Sequence, residues 1–122
     1  MAFKLGKEKR GFKTSDNTTL FRKTMNDGSL AQANMDGTID VDPSVNLNSK
    51  KGERIIKHEM KHIYDIETGR AAYGDDWVMW EDKIYLRKTI NGVNVIDGPN
   101  GRWPEGDPHH PWEAEAIQIE NQ

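Results

Sequence analysis

The sequence of 122 residues contains no cysteine. Disulfide bonds and thiolate metal ligands are therefore excluded, and any metal ion must be held by histidine, aspartate or glutamate. The sequence also lacks a run of about 18 apolar residues, the length that a membrane-spanning helix needs, so we expect no membrane partner. The N-terminal residues lack the apolar segment of a secretory signal peptide. These absences lead us to expect a cytoplasmic protein.

Hydrophobic residues make up 34% of the chain and charged residues 30%, with a formal net charge of −3. A chain of this length and composition can bury one modest core. We therefore predict a single domain over residues 1–122, in which residues 1–13 form a basic, partly flexible arm. A solvated terminus explains the basic arm, and nucleic acid is not expected as a partner. The oligomeric state is left open by the sequence.

Alternation of apolar and polar residues marks one strand. In "GTIDVDP", Ile39 and Val41 alternate with polar neighbours and Pro43 follows, which predicts a half-buried strand at the edge of a sheet. Residues 14–35 mix short apolar pieces with turn signals and are compatible with a strand or a short helix.

The second half of the chain contains a hairpin signal and a loop signal. Asn91-Gly92 lies between two β-prone segments, which is the strongest short-range indication of a β-hairpin. Residues 98–111 contain four prolines and three glycines, which predicts a loop.

Two helices are predicted. The first begins after Asn48 or Ser49 as N-cap and stops at Gly69. Its buried stripe consists of Ile55, Ile56, Met60, Ile63 and Ile66. The second is the closing segment "PWEAEAIQIENQ", with Pro111 near its first turn. Strands and helices together predict the α+β class.

The first helix contains His58-Glu59-Met60-Lys61-His62, the pattern HExxH. Residues four apart on a helix face the same way, so both imidazoles can reach one ion. A carboxylate next to the first histidine can then act on a water molecule as general base. The pattern therefore indicates metal-assisted hydrolysis, most often of a peptide bond.

In these residues the sequence resembles the zincin metallopeptidases. The metzincin branch needs glycine three residues after the second histidine, where Asp65 stands, and the aspzincin branch needs aspartate where Arg70 stands. The gluzincin-like pattern, an aromatic residue followed by Glu-x-x-Ala on a second helix, matches "WEAEA". This resemblance implies that Glu113 is the third ligand, with Glu115 on another, solvated face as the alternative, and that Ala116 permits close helix packing.

The resemblance also implies a fold, a cofactor and further site residues. We expect a small zincin-like domain with a short antiparallel or mixed sheet, whose edge strand packs on the HExxH helix, and one zinc ion per chain. Glu59 is the expected catalytic base. Either His109 or His110 is a candidate stabiliser of the transition state. The strand around Ile39 and Val41 is expected to pair with a peptide or protein substrate.

A second hypothesis keeps the fold without the chemistry. The chain would then be a catalytically silent zincin-fold structural or binding protein of phage or mobile-element origin, located in the virion or in the host cytoplasm. Glu59 favours the enzyme, because a purely structural site needs the histidines and Glu113 but has no use for a base.

Overall fold

The computed structural model describes residues 12–13, 18–99 and 101–122. In these residues nine strands and two helices follow one another: β1 (Phe12–Lys13), β2 (Thr19–Arg22), β3 (Ala31–Ala33), β4 (Ile39–Val41), α1 (Lys50–Glu67), β5 (Ala71–Tyr73), β6 (Trp77–Trp80), β7 (Lys83–Ile90), β8 (Val93–Gly98), β9 (Gly101–Pro104) and α2 (Pro111–Glu120). The predicted α+β class is confirmed. The described part of residues 14–35, residues 18–35, contains strands β2 and β3, which resolves the choice between strand and helix in favour of strand there.

The first sheet has the strand order β1-β2-β4-β3. β4 pairs in parallel with β2 and antiparallel with β3, so this sheet is mixed. The prediction that Ile39 and Val41 lie in an edge strand is therefore wrong. Both side chains are 0% exposed, and both edges of β4 are already paired. A substrate strand has no free edge to join there, so the substrate-pairing role does not fall to Ile39 and Val41.

The second sheet is an antiparallel meander with the order β5-β6-β7-β8-β9. The predicted hairpin is confirmed: Asn91 and Gly92 join β7 to β8 with φ values of 52° and 80°, the left-handed backbone that such a two-residue turn requires. The predicted loop is wrong in part, because Gly101–Pro104 forms β9 and pairs with β8. This strand is short and lies at the end of the sheet, where proline is tolerated.

Both predicted helices are confirmed. Ser49 is the N-cap of α1, and its hydroxyl accepts a hydrogen bond of 3.0 Å from the Gly52 N–H. The helix ends just before Gly69, whose φ of 78° suits glycine. Within the predicted stripe Ile63 is 1% exposed, and the other four residues pack partly buried against the same core. α2 begins at Pro111, after His110 as N-cap.

Two hydrophobic clusters support these elements. The first joins the first sheet to α1 and consists of Leu20, Ala33, Ile39, Val41, Val45 and Ile63. The second joins the second sheet to α2 and consists of Val78, Trp80, Tyr85, Ile96 and Trp112. α1 and α2 are in extensive contact, and α1 also touches β3 and β5. The two helices therefore meet where the two clusters adjoin.

Residues 1–11 of the predicted basic arm lie outside the described residues. Phe12–Lys13, the last two residues of that arm, form β1 and pair antiparallel with β2. Neither α1 nor α2 has the length and apolar character that would let it cross a membrane.

Candidate metal centre

The two histidines of the HExxH pattern lie together on α1. Their ring centroids are 4.8 Å apart in an edge-to-face arrangement. The side chains are only 18% and 16% exposed for His58 and His62. Spacing of four residues on a helix produces this pairing, and α2 covers it.

α2 brings a carboxylate to both imidazoles. Glu113 Oε1 lies 2.8 Å from His58 Nε2 and 3.2 Å from His62 Nε2. The Glu113 side chain is 12% exposed, and one ligand atom from each of the three residues lies within 4.8 Å of the others. Two imidazoles and one carboxylate are a set that zinc uses in catalytic sites, with a fourth position open for water.

Packing on the second cluster fixes the direction in which Glu113 points. Trp112, 7% exposed, meets the Tyr85 ring edge-to-face at 4.9 Å and stacks on the His110 ring at 4.8 Å. Ala116, one turn further along α2, is 0% exposed. With these two residues on the buried side of α2, Glu113 is turned toward α1.

Glu115 contacts Lys61 on α1 and Arg70, which follows α1, instead of the histidines. Two residues along a helix amount to about 200° around its axis. The two Glu115 carboxylate oxygens accept hydrogen bonds of 2.7 and 2.8 Å from the Arg70 guanidinium. Glu115 is therefore separate from the histidines, as predicted, but it is ion-paired rather than simply solvated.

Glu120 is a further residue of the site that the sequence analysis missed. Its Oε1 lies 2.6 Å from His58 Nδ1, so the His58 ring is held between Glu120 and Glu113. A carboxylate on the nitrogen that faces away from a metal fixes the orientation of a ligand histidine. The signal was present in the sequence: Glu120 follows Glu113 by seven residues, two helical turns, and so lies on the same face of α2.

The carboxylates control the protonation of the cluster. Burial by itself would lower the pKa of His58, but hydrogen bonds to Glu113 and Glu120 outweigh it and raise this pKa to about 9. Burial by itself would raise the pKa of Glu113, but hydrogen bonds from the two histidines lower it to about 2. Without a metal the cluster therefore holds a proton on His58 and a negative charge on Glu113 at neutral pH.

Glu59 lies beside this cluster. Burial raises its pKa, while the neighbouring histidines and a hydrogen bond from the backbone of Ala33 partly oppose the rise. A carboxyl group whose pKa is raised toward neutrality accepts and releases protons more readily at the pH of the cell. Glu59 is not part of the group formed by His58, His62 and Glu113 that could hold a metal ion.

The cluster opens into a cleft of about 1060 Å³ between the first and second sheets. His58, Glu59 and Glu113 line it together with β3 on one side and β5 on the other. His58, Glu59, His62 and Glu113 therefore all border one cleft.

β3 presents an edge to the cleft. Among the described strands it pairs with β4 only, through hydrogen bonds of Leu30 and Asn34 to the β4 side. The backbone groups of the alternate residues, Ala31 and Ala33, point to the opposite edge. There the Ala33 carbonyl accepts a hydrogen bond of 2.6 Å from the Tyr73 hydroxyl, which bridges the two walls.

His109 and His110, the predicted stabilisers of the transition state, lie elsewhere. The described lining of the cleft includes neither of them. His109 is exposed, stacks on Trp103 with ring centroids 3.6 Å apart, and contacts Asp107 at 2.6 Å. His110 is 2% exposed beneath Trp112. Both rings contact tryptophans, Trp103 for His109 and Trp112 for His110, so the described cleft gives their predicted role no support.

Comparison of the sequence with protein-family models gave no match, and comparisons with curated proteins and with solved structures gave none either.

Proposed function

We propose that this chain is a small zinc-dependent metallopeptidase of the gluzincin-like zincin type, in which His58, His62 and Glu113 bind one zinc ion. One observation carries the proposal: Glu113 Oε1 lies within 2.8 and 3.2 Å of the two Nε2 atoms. The mixed sheet, with the edge of β3 beside α1, agrees with a zincin-like domain.

Glu59 is the proposed general base. Zinc, when bound, supplies Lewis-acid polarisation of the substrate carbonyl and of water. Glu59 takes a proton from the water as its oxygen bonds to the carbonyl carbon. Glu59 then delivers this proton to the leaving nitrogen as the carbon–nitrogen bond breaks, so that no proton is gained or lost.

The edge of β3 is the proposed binding strand for the substrate, in place of β4. An extended peptide can add to an exposed sheet edge through main-chain hydrogen bonds. Ala31 and Ala33 offer those groups on the side of the strand that faces the cleft. The proposed substrate is therefore an extended segment of a peptide or protein, with its carbonyl presented beside Glu59.

Tyr73 replaces the two loop histidines as the proposed donor to the substrate oxygen. Its hydroxyl donates a hydrogen bond to the carbonyl of Ala33 on β3, and Tyr73 and Glu59 both line the cleft. When a substrate N–H donates to the Ala33 carbonyl in place of the Tyr73 hydroxyl, that hydroxyl is released from its hydrogen bond. The phenol can then donate to the carbonyl oxygen, where negative charge develops.

Zinc content and hydrolysis of an unfolded protein substrate, measured side by side, test this proposal. We expect Glu59→Gln to keep zinc and to lose about 10²–10⁴-fold in rate, because the amide cannot take a proton. His62→Ala should lose zinc, and Glu53→Gln, an exposed change on the same helix, should alter neither property. Wild-type protein without zinc contradicts the proposal. Zinc without hydrolysis favours the silent binding module instead.

If Glu59→Gln loses zinc as readily as His62→Ala, Glu59 is a ligand and its proposed role is wrong.

A further inference from the structure

A second set of charged residues joins α1, α2 and the second sheet. We call this set the ionic clamp; it consists of Lys61, Asp65, Arg70, Glu81 and Glu115. Lys61 Nζ lies 2.6 Å from Asp65 Oδ1 and 3.1 Å from Glu115 Oε1. The Arg70 guanidinium binds both oxygens of Glu115, at 2.7 and 2.8 Å, and also contacts Glu81 Oε2 at 2.9 Å.

The clamp has a buried end and a partly exposed end, because the side chains of Arg70 and Glu115 are 34% and 35% exposed. Asp65 is 0% exposed, and the Lys61 side chain is 13% exposed. The Arg70 guanidinium lies over the Trp80 ring, 4.3 Å from its centroid. Exposed pairs contribute little because water and salt screen them, whereas charges taken out of water must keep their partners.

Arg70 is itself fixed to α1. It follows the end of the helix, and its N–H donates a hydrogen bond of 2.8 Å to the Asp65 carbonyl. An arginine that grips both oxygens of a carboxylate defines an orientation as well as a distance. The Arg70–Glu115 pair therefore sets the rotation of α2 against α1.

Glu113 and Glu115 belong to the same rigid turn of α2. Glu113 reaches the histidines on one flank of the buried Ala116, and Glu115 reaches Arg70 and Lys61 on the other. Glu113 Oε1 lies at hydrogen-bonding distances of 2.8 and 3.2 Å from the two imidazoles. A small rotation of α2 would carry this oxygen away from both rings.

We propose that Glu115, held by Arg70 and Lys61, is a positioning residue that sets the third metal ligand, Glu113, in place. This inference rests on the proposed zinc site. Glu115 does not touch the metal. Its carboxylate acts through the orientation of α2.

Zinc affinity of the full chain, measured by competition with a chelator in a double-mutant cycle, tests this role. We expect Glu115→Gln to weaken zinc binding by about 10-fold, as loss of an orienting partner does at metal sites. The same change made in a Glu113→Gln background should have no further effect, because the ligand it positions is already gone. Glu53→Gln is the matched control and should leave the affinity unchanged.

A purely structural role predicts a different pattern. If Glu115 only stabilises the fold, Glu115→Gln weakens zinc binding equally in both backgrounds, and the proposal is overturned. An unchanged affinity in Glu115→Gln overturns it as well. Arg70→Lys, which keeps the charge but loses the two-pronged grip, provides a second variant should Glu115→Gln not fold. It is expected to show the same dependence on Glu113.

The experiment distinguishes failure of the proposed zinc site from failure of the proposed role of Glu115. If the wild-type chain binds no zinc, the proposed function falls and this inference falls with it. If the wild type binds zinc and the Glu115 and Arg70 variants bind it equally well, the inference alone fails.

Discussion

Zinc binding should depend strongly on pH, because a proton occupies the nitrogen of His58 that a metal needs. In the metal-free protein Glu113 and Glu120 raise the pKa of His58 to about 9. Zinc binds only the neutral imidazole. Below that pKa each unit of pH therefore lowers the apparent affinity tenfold. At neutral pH the loss is about 100-fold, or about 2.7 kcal/mol at 1.36 kcal/mol per pKa unit.

Two measurements check this expectation. Chelator competition between pH 7 and pH 9 should show the affinity rising with pH. NMR titration of the metal-free protein should show the His58 ring, assigned with a His58→Gln variant, titrating well above the ordinary range. The NMR measurement, made without metal, separates this proton from any proton lost elsewhere in the loaded site. His109→Ala, a change outside the cleft, is the control and should leave both results unaltered.

The stability of the metal-free protein should depend on pH in the opposite direction to its zinc affinity. Because the folded-state pKa of His58 lies above its ordinary value of 6.5, its contribution to stability is fully present below pH 6.5 and is lost as the pH rises through about 9. Urea denaturation should therefore show a falling free energy of unfolding over this window. A zinc affinity that changes less than about threefold from pH 7 to pH 9, or a His58 ring that titrates near its ordinary value, would refute this reasoning.

Three further predictions follow from the site and the core. Tyr73→Phe should keep zinc but lower kcat by about 10²-fold, as expected for loss of one donor to the substrate oxygen; equal kcat in Tyr73→Phe and in the exposed control Tyr64→Phe would contradict this. Glu120→Gln should lower the pKa of His58 in the metal-free protein and, near pH 9, where the proton on His58 competes little with the metal, weaken zinc binding by about 10-fold; an unchanged NMR titration would show that the Glu120 contact has no effect in solution. Ile39→Ala should cost about 2–5 kcal/mol of unfolding free energy, because this side chain is 0% exposed, whereas Ile84→Ala, 62% exposed, should change it by less than about 0.5 kcal/mol; similar losses would argue against the observed packing.

The elements that could be predicted from sequence are those with local signals. α1 has an N-cap, an apolar stripe and a glycine stop within one stretch of chain. The hairpin has its turn residues between two β-prone segments, and α2 has proline in its first turn. Each of these signals acts between residues a few positions apart, so no knowledge of the rest of the fold is needed to interpret them.

The position of β4 in its sheet could not be predicted in the same way. Alternating residues show that a strand has a buried face, but they do not show how many neighbours its edges have. β4 is interior because β2, from nearly twenty residues earlier, pairs with it in parallel, and β3 covers its other edge. The pairing partners are set by the whole first sheet. Among the described strands, the edge of the sheet beside the cleft therefore belongs to β3 and not to β4. The three residues of β3 show almost no alternation of apolar and polar side chains.

The candidate site could be predicted from the sequence in part. The spacing of His58 and His62 is local and predicts their pairing, but the residue that joins them comes from a helix about fifty positions later. Helix geometry then limits the choice, because Glu113 and Glu115 cannot face the same partners, while Glu113 and Glu120 must share a face. The sequence alone did not predict which cationic side chain would pair with Glu115. Arg70 occupies the position where the aspzincin pattern needs aspartate. In the folded chain its guanidinium forms an ion pair with Glu115, on the side of α2 that does not face the histidines.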